Sequence, residues 1–194
     1  MSTSRLETFA DGVFAIAATL LILDVSAHGP DLGHSLVHIW PSYVGYAVSF
    51  LTIGVMWVNH HTVFGQIDRV DRRFLFINVG LLMCIAFVPF PTRLVALHIR
   101  DEGAKAATLA YGLTLTITAI FFYLLWFVGV LRGGLLKSEA DPSLVSGISR
   151  SYRPGTLLYL GATLVAFASP KASAALYAAI TLFYVVESSL FARV

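Results

Sequence analysis

Charged residues and cysteines are scarce in this chain. Of its 194 residues only 12% are charged, whereas 57% are hydrophobic and the mean hydropathy is +0.79. A soluble domain carries about twice that charged fraction, so the composition indicates a polytopic membrane protein. The single cysteine, Cys84, lies in an apolar run and excludes an intrachain disulfide. The net charge of +2 is too small to imply a nucleic-acid partner.

Catalytic and ion-selectivity motifs are also missing from the sequence. It has no glycine-flanked serine, no phosphate-binding Walker loop and no zinc-protease histidine pair, which argues against an enzyme. The TVGYG-type carbonyl filter of common potassium channels is missing as well. His34 and His38 have the i, i+4 spacing of metal ligands, but no carboxylate or cysteine completes a set. We therefore expect no metal site and no cofactor.

The hydrophobic segments predict an all-α integral membrane protein, with residues 1–194 forming one domain of six transmembrane helices. The spans are expected at about 6–25, 39–64, 74–97, 105–131, 155–169 and 172–192. Pro89 and Pro91 should kink the third span or end it early. The pair Asp141-Pro142 predicts a helix start in the loop before the fifth span.

The distribution of basic residues predicts the orientation. With the N-terminus inside, nine lysines and arginines lie on the cytoplasmic side and four lie outside, which accounts for all 13. By the positive-inside rule both termini are cytoplasmic, and the chain is a multi-pass protein of the cell membrane. The first segment lacks the basic start and the cleavage site of a signal peptide, so we interpret it as a retained span.

The first span, LETFADGVFAIAATLLILDV, has an unusual distribution of polar groups. At about 100° per residue one face groups four residues with Ile16: Gly12, Thr19, Leu20 and Leu23. Asp11 points about 140° away from Ile16, towards some neighbouring polar group. The stripe is either a contact with lipid or another helix, or the wall of a narrow pore. In the second case its aliphatic members form apolar rings and Thr19 the single polar rung.

Further polar residues gather at the inner ends of the first three spans. Unpaired polar groups at that depth are costly, so mutual hydrogen bonding is expected. We predict a network centred on Arg5 and Asp11, and its other members are Trp57, His60 and Asn78. The network either fixes the tilt of a pore helix or only joins the helices. At the other end of the first span, Asp24 is either part of an acidic ring at a pore mouth or an interfacial acid facing water.

The first span also carries a resemblance to a known family. RLETFADGVFAIAATLLILDV resembles the signature of the transmembrane protein 175 family of lysosomal and endosomal potassium channels and their bacterial relatives. That signature is an arginine, three residues, and then phenylalanine-serine-aspartate before an aliphatic stretch, which places Arg5, Phe9 and Asp11. The sequence departs at Ala10, where the family usually has serine. The run MWVNHH in the second span, with Trp57 and His60, is similar to the family's second-helix pattern.

The resemblance implies a homotetramer whose four first helices line a central pore, with membrane lipid around it. It implies a modest preference for potassium among monovalent cations, without a carbonyl filter, so potassium is the permeating ion rather than a cofactor. The family's constricting aliphatic residue falls on Ile16 and its threonine on Thr19. Its further apolar layers fall on Leu20 and Leu23.

The sequence leaves two other functions open. One is a proton-permeable channel or a secondary transporter that uses Asp11 and His60 as a relay. The other is a non-conducting membrane scaffold or sensor subunit. A transporter would show saturable, coupled flux, whereas a scaffold would show none.

Overall fold

The computed structural model of the chain describes residues 3–26 and 31–191. Within these ranges the regular elements are helical, and one isolated antiparallel bridge joins Ile67 to Leu136. The α-helices in chain order are α1 (Thr3–Leu20), α2 (Leu32–His38), α3 (Trp40–Gly65), α4 (Arg72–Phe87), α5 (Pro89–His98), α6 (Ala104–Tyr123), α7 (Pro142–Val165) and α8 (Pro170–Phe191). A 3₁₀ segment, Leu21–Asp24, extends α1, and a π-helical segment, Leu124–Leu131, extends α6.

Aspartates cap the starts of two of the long helices. The Asp71 carboxylate accepts a hydrogen bond of 2.7 Å from the Phe74 amide at the start of α4. At the start of α7, Asp141 accepts a bond of 2.7 Å from the Ser143 amide, and Pro142 takes the first helical position, as the Asp-Pro pair predicts. Each cap satisfies a backbone donor that the helix itself leaves unpaired.

The proline pair interrupts the third predicted span. The helix α4 ends at Phe87, Val88 forms a turn, and α5 begins at Pro89. Proline lacks the amide donor that would continue the helical ladder, so the break falls where the sequence predicts it. Although interrupted, the two helices together form one long apolar segment, Arg72–His98.

Four helical segments of the described residues are long and apolar enough to cross a membrane. They are Thr3–Asp24, Trp40–Gly65, Arg72–His98 and Ala104–Leu131. Their ends lie close to those of the first four predicted spans. The crossings of α7 and α8 remain predictions, as does the count of six spans per subunit.

The helix α7, Pro142–Val165, overlaps the fifth predicted span, 155–169. It begins where the Asp141-Pro142 pair predicts a helix start, before the predicted span, because residues 142–154 are too polar for hydropathy to mark them as part of a span. The bounds of the membrane span remain a prediction. The helix continues through Pro154, which forgoes one backbone hydrogen bond without ending it. The last residue of the sixth predicted span, 192, lies outside the described residues.

Contacts between buried hydroxyl groups join α8 to α7 and to α3. The Tyr177 hydroxyl of α8 donates to Thr163 Oγ1 of α7 at 3.1 Å, and Thr52 of α3 contacts Thr181 of α8 at 2.7 Å. All four side chains are buried. Lipid supplies no hydrophobic force between helices, so such bonds and close packing hold a membrane bundle together.

Close packing at Gly112 gives a test of this arrangement. A β-carbon there would collide with the hydroxyl groups of Tyr177 and Thr163. We expect Gly112→Ala to lower the free energy of unfolding by about 1–3 kcal/mol through overpacking. The matched control is Gly161→Ala on α7, where no atom lies within 4 Å of the added carbon. Equilibrium unfolding in mixed micelles measures both, and equal effects of the two variants would contradict the packing at Gly112.

Candidate functional site

The helix α1 has one packed face and one open face in the single subunit. Its buried residues follow a helical spacing of three and four: Ala10, Phe14, Ala17 and Leu21. They pack towards α3 and α4. The small alanines let the neighbouring backbones approach, and Phe14 fills the space between them.

The open face of α1 carries the predicted stripe. Its apolar members are among the exposed large hydrophobic residues of the subunit, with Ile16 61% and Leu23 71% exposed, and Leu20 is exposed as well. Apart from the backbone of α1 and the two chain neighbours, no atom of the described residues lies within 4 Å of a β-carbon placed at Gly12. The stripe is therefore free to contact lipid, another subunit or the lumen of a pore.

The 3₁₀ end of α1 keeps the stripe aligned. A 3₁₀ helix has three residues per turn, so positions i and i+3 eclipse one another. Leu20 and Leu23 are three residues apart across the change from α to 3₁₀ geometry, and they therefore stay on one side of the helix. This change was not predicted, because no residue in the run LILD marks a 3₁₀ turn.

Thr19 is the hydroxyl-bearing residue of the stripe. Its hydroxyl proton is directed at the carbonyl oxygens of Ala15 and Ile16, each 2.9 Å away. The proton is therefore used within the helix, while the hydroxyl oxygen keeps an acceptor lone pair. An acceptor on this face can contact a cation or a water molecule, but it cannot donate to an anion.

A hydrogen bond between two exposed side chains joins α1 to α3 beside the packed face. The Trp57 indole nitrogen donates to Asp11 Oδ1 at 2.8 Å. The Trp57 ring also stacks on His61, with 5.9 Å between ring centroids. A charged acceptor makes this one of the stronger classes of hydrogen bond. Asp11 is thus tied to a specific point on α3.

A second polar pair lies behind Phe14. His60 Nε2 and Asn78 Oδ1 are 2.9 Å apart, and both residues are buried. The imidazole stacks on the Phe64 ring with 4.3 Å between ring centroids. It meets the Phe14 ring in a T-shaped, edge-on contact with 5.4 Å between centroids. Asn78 Nδ2 is buried and has no hydrogen-bond partner among the described residues. The pair joins α3 to α4 beneath α1.

Arg5 does not join these pairs within the part of the subunit that the structure describes. It is exposed on α1, and it lies six residues before Asp11, which is about 120° around the helix. The predicted network centred on Arg5 and Asp11 is therefore seen as two separate pairs, one with Asp11 and one with His60. A contact of Arg5 stays a prediction.

Asp24 at the other end of α1 has a cationic neighbour. Arg93 Nε of α5 is 3.7 Å from Asp24 Oδ1, and the Asp24 side chain is only 19% exposed. The positive charge of Arg93 offsets part of the negative charge that Asp24 would contribute to an acidic ring at a pore mouth. Sequence reasoning missed it because the two residues are far apart in the chain, and only their common assignment to the outer side hinted at a contact.

The two histidines with metal-like spacing lie on α2. Their rings stack with 5.8 Å between centroids, and His38 also faces Arg100 Nη1 at 3.4 Å. Within residues 3–26 and 31–191, no three side chains of histidine, cysteine, aspartate or glutamate come together as a metal site would require. Among the described residues, no third ligand lies with His34 and His38.

Comparison with known proteins covers nearly the whole chain. The family profile described as "Endosomal/lysosomal potassium channel TMEM175" matches residues 5–89, which contain α1, α3 and α4. A potassium channel of Streptomyces collinus is 41% identical over 187 residues, covering 94% of this chain and 91% of the relative. This chain belongs to the TMEM175 family.

Two further matches extend the TMEM175 likeness over nearly the whole chain. A potassium channel of Chamaesiphon minutus is 38% identical over 193 residues, covering 96% of this chain and 95% of the relative. The crystal structure of a lysosomal potassium-selective channel TMEM175 homolog from Chamaesiphon minutus superposes with a TM-score of 0.85 and 36% identity. It covers 96% of this chain and 97% of that one. The TMEM175 family is a family of membrane ion channels, not of enzymes.

The bond between Asp11 and Trp57 can be tested by substitution. We expect Trp57→Phe to lower the free energy of unfolding by about 1–2 kcal/mol, because it leaves the carboxylate without its donor. Asp11→Asn should have a smaller effect, since the amide oxygen still accepts from the indole. Equilibrium unfolding of the single variants and of the double variant gives a coupling energy. Strictly additive effects would show that the two side chains do not act together.

Proposed function

We propose that this chain is the subunit of a potassium-permeable cation channel, a homotetramer in which four copies of α1 surround a central pore. The relatives from Streptomyces and Chamaesiphon are named potassium channels, and their likeness covers nearly all of this chain. The observation that carries the proposal is the open apolar face of α1, whose opposite face is packed and hydrogen-bonded.

The constriction is formed by the aliphatic residues of that face. In a tetramer Ile16, Leu20 and Leu23 form successive apolar rings, and Thr19 supplies the polar level between them. Narrow apolar rings hinder ions because water leaves them readily, so they act as gates without a moving plug. Potassium is more easily dehydrated than sodium, which favours a modest preference for potassium where no carbonyl filter is present.

The polar pairs hold α1 at a fixed tilt. Asp11 and Trp57 join α1 to α3, and His60 and Asn78 join α3 to α4. A rotation of α1 by one residue would turn Ile16 away from the axis by about 100°. These pairs therefore support the pore as positioning residues and do not bind the permeating ion.

The distribution of basic residues sets the orientation that we propose for these helices. The chain is a multi-pass protein of the cell membrane, and both termini lie in the cytoplasm. The Asp24–Arg93 pair then lies near the outer mouth of the pore. Its partial neutralisation of Asp24 favours a mouth without a strong acidic ring.

Flux through purified protein in liposomes tests the channel. We expect wild-type protein to pass potassium faster than sodium. Ile16→Asn should raise potassium flux by about tenfold, because a polar ring lowers the barrier by about 1.4 kcal/mol, and it should reduce selectivity. The control is Ile117→Asn on α6, an exposed isoleucine outside the proposed pore (45% exposed, against 61% for Ile16), which should conduct like wild type.

Other results assign other functions. No flux from either protein, with a tetramer confirmed in detergent, favours a scaffold or sensor subunit. Saturable uptake that is coupled to protons favours a transporter with Asp11 and His60 as a relay. Proton flux without coupling, and with little potassium flux, favours a proton channel.

A further inference from the structure

A large cavity lies away from the open face of α1, between α3, α5, α6 and α8. Its volume is about 640 Å³, which is in the range of cavities that bind organic ligands. It extends from the end of the bundle where α3, α6 and α8 begin and α5 ends. Trp40 lies at that end and Ser49 lies deeper, nine residues further along α3, which corresponds to about 14 Å.

The walls of the cavity are apolar along most of this depth. They consist of aliphatic side chains of three helices: Val44, Val48, Val95, Ala96, Ala174 and Ala178. The small alanines of α5 and α8 leave the space that larger residues would fill. The shape and chemistry suit a hydrocarbon chain.

The entrance of the cavity is basic. Arg100 and Lys171 line it, and no carboxylate is among the described residues that form its walls. The neighbouring Asp101 is directed elsewhere, towards His98 Nδ1 at 3.0 Å and the Gly103 amide at 2.7 Å. The entrance therefore attracts an anionic group.

Arg100 is held in place at this entrance. Its Nη1 donates to the His38 carbonyl oxygen at 3.1 Å, and its guanidinium lies 5.1 Å from the Trp40 ring centroid. A guanidinium has five N–H donors, so the bonds to His38 leave donors for a phosphate. Because the Arg100 side chain is already held in one position, binding a phosphate would cost little further side-chain entropy.

The interior contains one hydroxyl group without a partner. Ser49 bonds to Thr92 at 2.8 Å and to Tyr111 at 3.1 Å, so the deepest hydroxyls satisfy each other. Thr108 borders the same cavity and is 0% exposed, yet its Oγ1 has no hydrogen-bond partner among the described residues. Because Thr108 has no accessible surface, a ligand in the cavity does not reach this hydroxyl in the described arrangement of the side chains.

We propose that this cavity binds one anionic phospholipid per subunit, with the phosphate at Arg100 and Lys171 and one acyl chain between α3 and α8. With the topology proposed above, the lipid belongs to the outer leaflet. Binding requires the membrane placement of these helices but not ion conduction, so its test is separate from that of the channel.

Native mass spectrometry of the purified protein in detergent tests this site. Phosphatidylglycerol added to delipidated protein should bind once per subunit and more tightly than phosphatidylcholine. Arg100→Gln with Lys171→Gln should weaken the binding of phosphatidylglycerol by roughly 10- to 30-fold, because each basic group near a lipid surface contributes about one kcal/mol. Lys105→Gln is the matched control, since Lys105 lies over the Phe167 ring outside the cavity, and it should bind like wild type.

Two further variants separate the site from a general loss of structure. Thr108→Val should bind phosphatidylglycerol like wild type, because the Thr108 hydroxyl has no accessible surface in the cavity, and the thermal stability of lipid-free protein should be unchanged or raised, because the hydroxyl has no partner to lose among the described residues. Ala175→Phe should block the cavity, since Ala175 lines it and is exposed. Both proteins should elute as wild-type assemblies.

Three results would overturn the proposal. Equal binding of both lipids to all variants would mean a general lipid shell. No lipid bound by wild type would mean that another subunit or nothing fills the cavity. Palmitate displacing phosphatidylglycerol at equal concentration would mean that the site takes a simple carboxylate amphiphile.

Discussion

The arrangement of the subunit depends on a carboxylate that a membrane helix would not normally contain. Asp11 lies on the side of α1 away from Ile16, and it accepts a hydrogen bond from Trp57 of α3. In lipid an unsatisfied carboxylate is costly, so this bond fixes the rotation of α1 as well as its position. The apolar stripe is open because the polar side of the helix is engaged.

Contacts between the neighbouring helices connect this fixed position of α1 to the rest of the subunit. Phe14 of α1 packs against the edge of His60, whose ring is held by Phe64 and Asn78. Further out, hydroxyl pairs such as Thr52 with Thr181 connect α3 to α8. Each contact joins two helices at one register, so a shift of α1 would disturb several elements at once. The apolar stripe of α1 lies on the side of the helix away from these contacts.

The elements that could be read from the sequence are those set by local chemistry. Helical periodicity placed Asp11 opposite Ile16, the proline pair predicted the break at Val88, and Asp141-Pro142 predicted the start of α7. Long-range contacts could not be read in this way. The pairing of Asp24 with Arg93 depends on how α5 packs beside α1. A contact of Arg5 with Asp11 or with another group stays a prediction.

The central claim is that the open face of α1 meets water inside a pore, and thiol accessibility tests it most directly. In a Cys84→Ser background, Leu23→Cys is compared with Leu157→Cys on α7, two leucines of similar exposure in the subunit, 71% and 69%. A water-soluble, charged methanethiosulfonate reagent should modify Leu23→Cys and block potassium flux in liposomes, while Leu157→Cys, facing lipid, stays unmodified. Equal modification of both, or modification of Leu23→Cys without any change in flux, would contradict a pore lined by α1.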